Sequence, residues 1–329
     1  MVQPQSMKWP GKRAVLLVHG VGNAAVGDYS DLARQIETLL GGSASQFAIY
    51  VLYYDQINDW FATKQRMAGQ VTTLLQSLRG KLASLNMGAQ DPVSLGNAIA
   101  EIVGDVIWPV LLADARNAVR TALIDQLVQI VTDGDDAGTP PRDQHLSIIA
   151  HSMGCFHVYE ALHTIAADRT QAIGPASGGV QFANVIYMAS PVQLIRTVAG
   201  LLGPLVPQQE SMRSVSQPLA LPAQASATTS VQVSRKTVSI CGDLDPVSGY
   251  FFRKNPDWSF LNFPGLELST DKQQLAQING SDEISLTKIL ESALSEQSAP
   301  VIQPNNPHDW SAYVDRHKAE LLTWLTSDA

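Results

Sequence analysis

Charged residues are scarce in this sequence, and positive charge is scarcer than negative charge. Charged residues make up 16% of the 329 positions, and 22 lysines and arginines against 30 aspartates and glutamates give a net charge of −8. A soluble domain usually carries about 25% charged residues, so part of the surface is expected to be apolar. The acidic balance and the lack of a basic cluster disfavour nucleic acid as a partner, because phosphates repel such a surface.

Cysteines, secretion signals and membrane-spanning runs are also lacking. The two cysteines, Cys155 and Cys241, follow different predicted strands, so buried free thiols are expected rather than a disulfide. The first ten residues contain no apolar run of the kind found in a secretion signal. The apolar stretches 99–112 and 194–206 are broken by charged residues, glycine or proline and are too short to cross a bilayer. A cytoplasmic location is expected, and export by a route that needs no signal is left open.

A serine between two small residues follows an apolar run typical of a buried strand. The run spans Leu146 to Ala150, the serine is Ser152, and Gly154 comes two positions later. At a nucleophile elbow the chain turns sharply from strand to helix, so only small side chains fit two positions before and after the serine. The usual motif G-x-S-x-G is here A-x-S-x-G. Apolar residues at helical spacing follow, which favours an elbow over a strand that merely ends in a tight turn: Phe156, Tyr159, Leu162 and Ala166.

A β-prone run at residues 13–18 ends in His19-Gly20-Val21-Gly22. This loop resembles the oxyanion loop of α/β-hydrolases, in which glycine allows close approach of the backbone to the substrate. The resemblance implies the Val21 N–H as one oxyanion donor, and the Met153 N–H at the start of the helix after Ser152 as the other. A phosphate loop fits less well, because the third glycine of a dinucleotide motif is absent and no Gly-Lys-Ser/Thr follows.

A serine nucleophile needs a histidine base and an acid that orients the histidine, in the order Ser, Asp, His along the chain. A strand pattern at 237–241 is followed by Gly242-Asp243-Leu-Asp245-Pro-Val247. Asp245 is favoured as the acid, because α/β-hydrolases commonly read Gly-x-x-Asp-x-Val after strand seven, and Asp243 is the alternative. An aspartate before proline is also a good helix N-cap, so a purely structural role for Asp245 stays open.

His308 is the candidate base among the seven histidines, since it precedes the last amphipathic helix, where a hydrolase base belongs. Trp310, Tyr313, Leu321, Trp324 and Leu325 of that helix are expected to face the sheet. His317 is assigned to the charged stripe 315–318. The other histidines are explained by loops, a strand start or the helix after Ser152: His19, His145, His151, His157 and His163.

Together these segments resemble those of bacterial α/β-hydrolases of the lipase and esterase group. The resemblance implies the α/β-hydrolase fold, a mostly parallel central sheet flanked by helices, here with helical cap insertions. It also implies a cofactor-independent and metal-independent Ser152–Asp245–His308 triad that cleaves carboxylic esters through an acyl-enzyme. The expected partner is a small ester with an apolar acyl chain, and peripheral contact with a lipid surface is left open. Thioester and amide hydrolysis use the same triad, and an inactive lipid- or protein-binding module is the alternative from another class.

One decorated domain is expected over residues 1–329, with an oligomeric state that the sequence does not indicate. An insertion at 59–140 has apolar residues at helical spacing, and a second at 191–235 is rich in proline, glutamine, serine and alanine, as in a mobile lid loop. Each insertion is expected either to cap the acyl pocket or to be a surface feature remote from it. The predicted strands lie near 13–18, 48–53, 146–150, 184–189 and 237–241.

Overall fold

The computed structural model describes residues 3–20, 26–54, 57, 113–167, 182–191, 234–240 and 309–327. Its strands are β1 (Arg13–Val18), β2 (Phe47–Leu52), β3 (His145–His151), β4 (Phe182–Met188) and β5 (Ser234–Ile240). Its helices are α1 (Val26–Leu40), α2 (Ala113–Asp136), α3 (Met153–Ala167), α4 (Trp310–Arg316) and α5 (Lys318–Thr326), with 3₁₀ turns at Gly41–Gln46 and Pro141–Asp143. All five predicted strands are confirmed, with small shifts at their ends.

The strands form one parallel sheet in the order β2-β1-β3-β4-β5. Val18 at the end of β1 pairs with Leu52 on one side and with Ala150 on the other, so neighbouring strands end at the same edge. The apolar runs form strands because a parallel sheet with both faces covered buries every side chain along its length. In β1, for example, residues Ala14 to Val18 are all fully buried.

Helices cover both faces of the sheet. Leu16 of β1 belongs to the apolar cluster that includes α2 and α3, whereas its neighbour Leu17 belongs to the cluster of α1, α4 and α5. The chain moves one way across the sheet from β1 to β2 and the opposite way from β2 to β3. Because parallel crossovers are almost always right-handed, this reversal puts the connecting helices on opposite faces. The described part of the protein is therefore an α/β fold of three layers.

The reversal also marks a particular place at the carboxyl edge of the sheet, where β1 and β3 end side by side. Neighbouring strands whose connections leave in opposite directions form a topological switch point, where α/β proteins bind their ligands. His19 and Gly20 follow β1, and Ser152 follows β3. The fold thus brings the two predicted loops side by side.

The last two helices run back from this edge. Arg13 Nη1 donates a hydrogen bond to the Leu325 carbonyl at 2.8 Å, and Asn184 Nδ2 donates to the Trp324 carbonyl at 2.8 Å. These bonds fix the end of α5 near the amino ends of β1 and β4. Trp310, at the start of α4, has its ring centroid 5.9 Å from that of His151, the last residue of β3. The start of α4 therefore lies at the carboxyl edge, beside the ends of β1 and β3.

The structure corrects the prediction for His317. The expected single helix breaks at this residue, whose φ of −115° and ψ of 28° are not helical. Its neighbours Asp315 and Lys318 are exposed and form an ion pair, but His317 itself is 6% exposed and packs near the Tyr313 ring. His317 lies four residues after Tyr313 and four before Leu321, on the same buried face of the helices, and burial lowers its pKa. The predicted inward positions are confirmed as buried, apart from the partly buried Trp324: Trp310, Tyr313, Leu321 and Leu325.

The described part of the first predicted insertion belongs to the core. Val119, Leu123 and Leu127 of α2 are fully buried in the cluster on one face of the sheet. The helix ends before Gly138, which has a φ of +84° and so meets the need for a left-handed residue after a helix. The remainder of that insertion and residues 192–233 of the second lie outside the described residues, so a cap remains a prediction. Within the described ranges, no helix has the length and apolar character needed to span a membrane.

Candidate active site

Ser152 forms the turn between β3 and α3 with a φ of +52°. A residue with a Cβ atom is strained in this left-handed region by roughly 1–2 kcal/mol. The backbone is held on both sides, because Ser152 N–H donates to the Met188 carbonyl at 3.0 Å and its own carbonyl accepts from Cys155 N–H at 2.9 Å. The predicted sharp turn from strand to helix is therefore present at Ser152.

The small residues on either side of this turn are explained by close packing. A Cβ atom added to Gly154 would collide with the Val18 carbonyl oxygen and lie 2.6 Å from the His19 carbonyl oxygen. Ala150 is fully buried in the sheet. The first turn of α3 thus lies directly against the end of β1, and glycine at position 154 permits this approach.

Gly20 brings the loop after β1 against the serine. A Cβ atom added there would lie 2.5 Å from Ser152 Cβ, 2.9 Å from Ser152 Oγ and 3.1 Å from the Met153 nitrogen. Met153 is the first residue of α3, and the first amides of a helix have no acceptor within the helix. The Ser152 hydroxyl, the Met153 nitrogen and the backbone of Gly20 therefore lie close together at the sheet edge.

Three of the five predicted site residues lie outside the described residues. These are Val21, Asp245 and His308, and Asp243 is outside as well. Their roles remain predictions. Trp310, two positions after His308, is 1% exposed, and its ring centroid lies 6.3 Å from that of His19. The chain that follows the predicted base is thus anchored beside the loop after β1.

Two neighbours of the site were not predicted from the sequence. The hydroxyl of Tyr54, a fully buried residue two positions beyond β2, donates to the His19 carbonyl at 2.6 Å. The alternation of Tyr50, Leu52 and Tyr54, which all belong to one apolar cluster, is a signal that could have placed Tyr54 on the same face as Tyr50. Ala189, just after β4, has a φ of +55° and donates its N–H to the Ile240 carbonyl at 3.1 Å. No sequence signal marks alanine for such a conformation.

A buried polar cluster underlies the site on the α2 and α3 face. His157 of α3 is fully buried, and its ring centroid lies 5.0 Å from that of Tyr54 in an edge-on contact. Arg116 of α2 and Glu160 of α3 are each 3% exposed. Burial, and then the positive charge of Arg116, lower the pKa of His157 to about 3. The imidazole is therefore neutral in the neutral pH range.

This shift predicts that acid destabilises the protein through His157. Its pKa in the folded state lies below the ordinary 6.5, so the unfolded state binds the proton first as pH falls. The contribution of the neutral His157 to the free energy of unfolding is fully present above pH 6.5. It falls by about 2 kcal/mol between pH 6.5 and 5. Urea unfolding at pH 7 and pH 5 measures this loss, and His157→Gln should reduce it by about that amount. Equal pH dependence in the two proteins would contradict the assignment.

The strained turn makes a second prediction about stability. Ser152→Gly should have a free energy of unfolding about 1 kcal/mol higher than Ser152→Ala, because glycine adopts a positive φ without a Cβ clash. Ser147, inside β3, provides the control. There glycine should be less stable than alanine, since it only adds backbone freedom to the unfolded chain. Urea denaturation of the four variants measures both differences, and the same order at both positions would argue against a left-handed Ser152.

Among the residues that the structure describes, no three His, Cys, Asp or Glu side chains are placed to hold a metal ion. Cys155, one turn into α3, is a buried free thiol whose Sγ–H donates to the Met188 carbonyl at 3.2 Å. The chemical groups that the described site offers are a hydroxyl, helix amides and imidazoles.

No known protein family and no curated protein matches this chain. A solved structure, that of an uncharacterized protein from Pseudomonas aeruginosa, is similar at 11% identity with a TM-score of 0.29. The match covers 70% of this chain and 35% of that protein, so this chain spans about a third of its length. A likeness of this degree says nothing about function.

Proposed function

We propose that this protein is a serine hydrolase with the α/β-hydrolase fold, which cleaves carboxylic esters through an acyl-enzyme on Ser152. The observation that carries this proposal is the φ of +52° at Ser152, in a turn where Gly20 and Gly154 approach closely. A strained non-glycine residue persists only where its surroundings hold it, and such residues cluster at functional sites. In a nucleophile elbow this strain raises the serine hydroxyl above the sheet.

The position of Ser152 in the sheet supports the same function. Ser152 follows β3 and faces the loop after β1, at the point where the strand connections reverse. Doubly wound proteins that bind flavin or other nucleotides also use this point, so position alone does not select hydrolysis. Two features favour hydrolysis over nucleotide binding. One is the serine on the strained turn, and the other is that the loop after β1 has neither the third glycine of a dinucleotide motif nor a Gly-Lys-Ser/Thr sequence.

The proposed reaction has two steps. His308 takes the proton of Ser152 Oγ as the oxygen bonds to the ester carbonyl carbon, and the N–H groups of Met153 and Val21 stabilise the resulting oxyanion. The bond to the alcohol then breaks, and the alcohol leaves with the proton from His308. In the second step water attacks the acyl-enzyme in the same way, with His308 taking its proton and returning it to Ser152 Oγ. This releases the carboxylic acid and restores the serine. Asp245, or Asp243 in its place, keeps the histidine in the required tautomer.

The anchoring of α4 supports His308 as the base. Trp310 is buried beside His19 and His151 at the carboxyl edge. Two residues span at most about 7 Å between Cα atoms, so the proposed base is attached to a chain anchored close to this edge. A base must come within hydrogen-bonding distance of the serine hydroxyl, directly or through a water molecule.

A fluorophosphonate probe tests the proposed function. We expect the folded protein to be labelled at Ser152, with the adduct located by mass spectrometry, and heat-unfolded protein to remain unlabelled. The probe reacts with esterases, thioesterases and amidases alike, because all of them activate the serine in the same way. Folded protein that fails to react would instead favour an inactive lipid- or protein-binding module.

A panel of p-nitrophenyl esters tests the proposed substrate class. The low charged fraction and the apolar stretches 99–112 and 194–206 favour an apolar acyl chain. Activity should rise from acetate to medium or long chains, since each buried methylene contributes up to about 0.8 kcal/mol to binding. Deleting residues 208–230 should change this preference while leaving the fluorophosphonate labelling intact. A profile that peaks at acetate and is unaffected by the deletion would restrict the protein to small esters.

A further inference from the structure

The backbone carbonyl of His19 is held from two sides by elements distant in sequence. On one side the Tyr54 hydroxyl donates to it at 2.6 Å. On the other side lies Gly154, where an added Cβ atom would be 2.6 Å from the same oxygen. Three elements therefore meet at one carbonyl group: the end of β1, the residues after β2 and the first turn of α3.

This carbonyl belongs to the peptide group that enters Gly20. Gly20 in turn lies against Ser152 Oγ and the Met153 nitrogen, so a shift of the loop would change the shape of the site directly. The His19 ring adds a local contact, since its Nδ1 lies 3.0 Å from the Gly20 carbonyl oxygen. The Tyr54 hydroxyl is the contact that ties this loop to a neighbouring strand.

Tyr54 is itself firmly held. It is fully buried, it belongs to the apolar cluster on the α2 and α3 face, and its ring meets that of His157 edge-on at 5.0 Å. A hydroxyl on a fully buried ring that donates to a carbonyl at such a short distance restricts both groups, because the ring cannot turn away without losing the bond. Packing of the Tyr54 ring thus holds its hydroxyl in place, and the hydrogen bond from this hydroxyl holds the loop after β1 in place.

We propose that Tyr54 is a positioning residue for the reaction at Ser152, which sets the distance between the loop after β1 and the serine. This inference rests on the proposed function. Tyr54 touches no reacting atom in this role and acts through the His19 carbonyl. Without the hydroxyl the carbonyl loses this hydrogen bond, and the loop is held less firmly beside the site of the oxyanion. Interactions made only in the transition state suffer most, so kcat should fall while KM is kept.

Tyr54→Phe tests this role, with Tyr50→Phe as the matched control. Tyr50 is also fully buried, lies on the same inward face and donates to Asp133 Oδ2 at 2.8 Å while accepting from Trp9 Nε1 at 2.9 Å. Both variants lose one buried hydroxyl. We expect Tyr54→Phe to lower kcat and the rate of fluorophosphonate labelling by about tenfold or more, with KM within about twofold. Tyr50→Phe should change kcat by less than about twofold, although it lowers the unfolding temperature.

Hydrogen exchange of residues 13–20 gives a readout that does not depend on activity, and it should become faster in Tyr54→Phe than in Tyr50→Phe. The inference is overturned if the wild type is labelled and the two variants have equal kcat and equal exchange. A wild type that is not labelled at all rejects the proposed function, and the positioning role of Tyr54 with it.

If Tyr54→Phe does not fold, 4-aminophenylalanine at position 54 keeps a hydrogen-bond donor for the His19 carbonyl. It should retain most of kcat, and a folded but inactive protein overturns the inference.

Discussion

Replacing Ser152 by alanine is expected to lower kcat for ester hydrolysis by about 10⁶, the loss that removal of a serine nucleophile typically causes. The side chain is only partly buried, and alanine occupies the same strained turn with the same Cβ atom. The free energy of unfolding should therefore change by less than about 1 kcal/mol. Steady-state kinetics and urea denaturation of the same preparation measure the two quantities.

Ser147→Ala is the matched control for this experiment. Ser147 lies on the same strand, is 3% exposed, and its hydroxyl accepts a hydrogen bond from Asn184 Nδ2 at 3.1 Å. Its loss should lower stability by about 1 kcal/mol and leave kcat nearly unchanged, because it lies inside the sheet and away from the carboxyl edge. Retention of more than a few per cent of activity by Ser152→Ala, with contaminating esterase removed, would overturn the assignment of the nucleophile.

Gly154→Ala is expected to have the second largest effect. Alanine usually stabilises a helix relative to glycine, by up to about 1 kcal/mol. Here its Cβ would meet the carbonyl oxygens of Val18 and His19, which are backbone atoms at the end of a buried strand. The start of α3 must then move away from β1. We expect a loss of about 3 kcal/mol in the free energy of unfolding and of about 10²-fold in kcat/KM, because Ser152 and the Met153 amide move with the helix.

Gly42→Ala provides the contrast, since a Cβ atom added to Gly42 has no neighbour within 4 Å and its φ is not positive. Its stability should stay within about 0.5 kcal/mol of the wild type and its activity should be unchanged. Urea denaturation and kcat/KM for both variants decide the matter. A Gly154→Ala protein as stable and as active as Gly42→Ala would mean that α3 does not pack against β1 as described.

The strands and the turn at Ser152 were predictable because their causes are local. A parallel strand covered on both faces needs an unbroken apolar run, and such a run is legible in β1 and β3. The elbow likewise depends on side-chain size within five consecutive residues, so Ala150 and Gly154 indicated it without knowledge of any neighbour. The start of α3 directly after Ser152 confirms the predicted succession of strand, turn and helix.

The burial of His317 was not predicted, although helical spacing indicates it. Its charged neighbours led to its assignment to the charged stripe 315–318. It lies four residues after Tyr313 and four before Leu321, on the helical face that packs against the sheet, and it is buried with them. Residue type pointed to solvent here, whereas position in the helix pointed to the core.

The sequence by itself determined the strands, the sharp turn at Ser152 and the small residues that this turn requires. Only the tertiary structure decided which loops meet there. The strand order places the loop after β1 beside Ser152, and it brings the Tyr54 hydroxyl to the His19 carbonyl across 35 residues of chain. The physical reason is that the local pattern of apolar residues indicates only whether a side chain is buried. The partner it meets depends on the direction and handedness of the crossovers between strands.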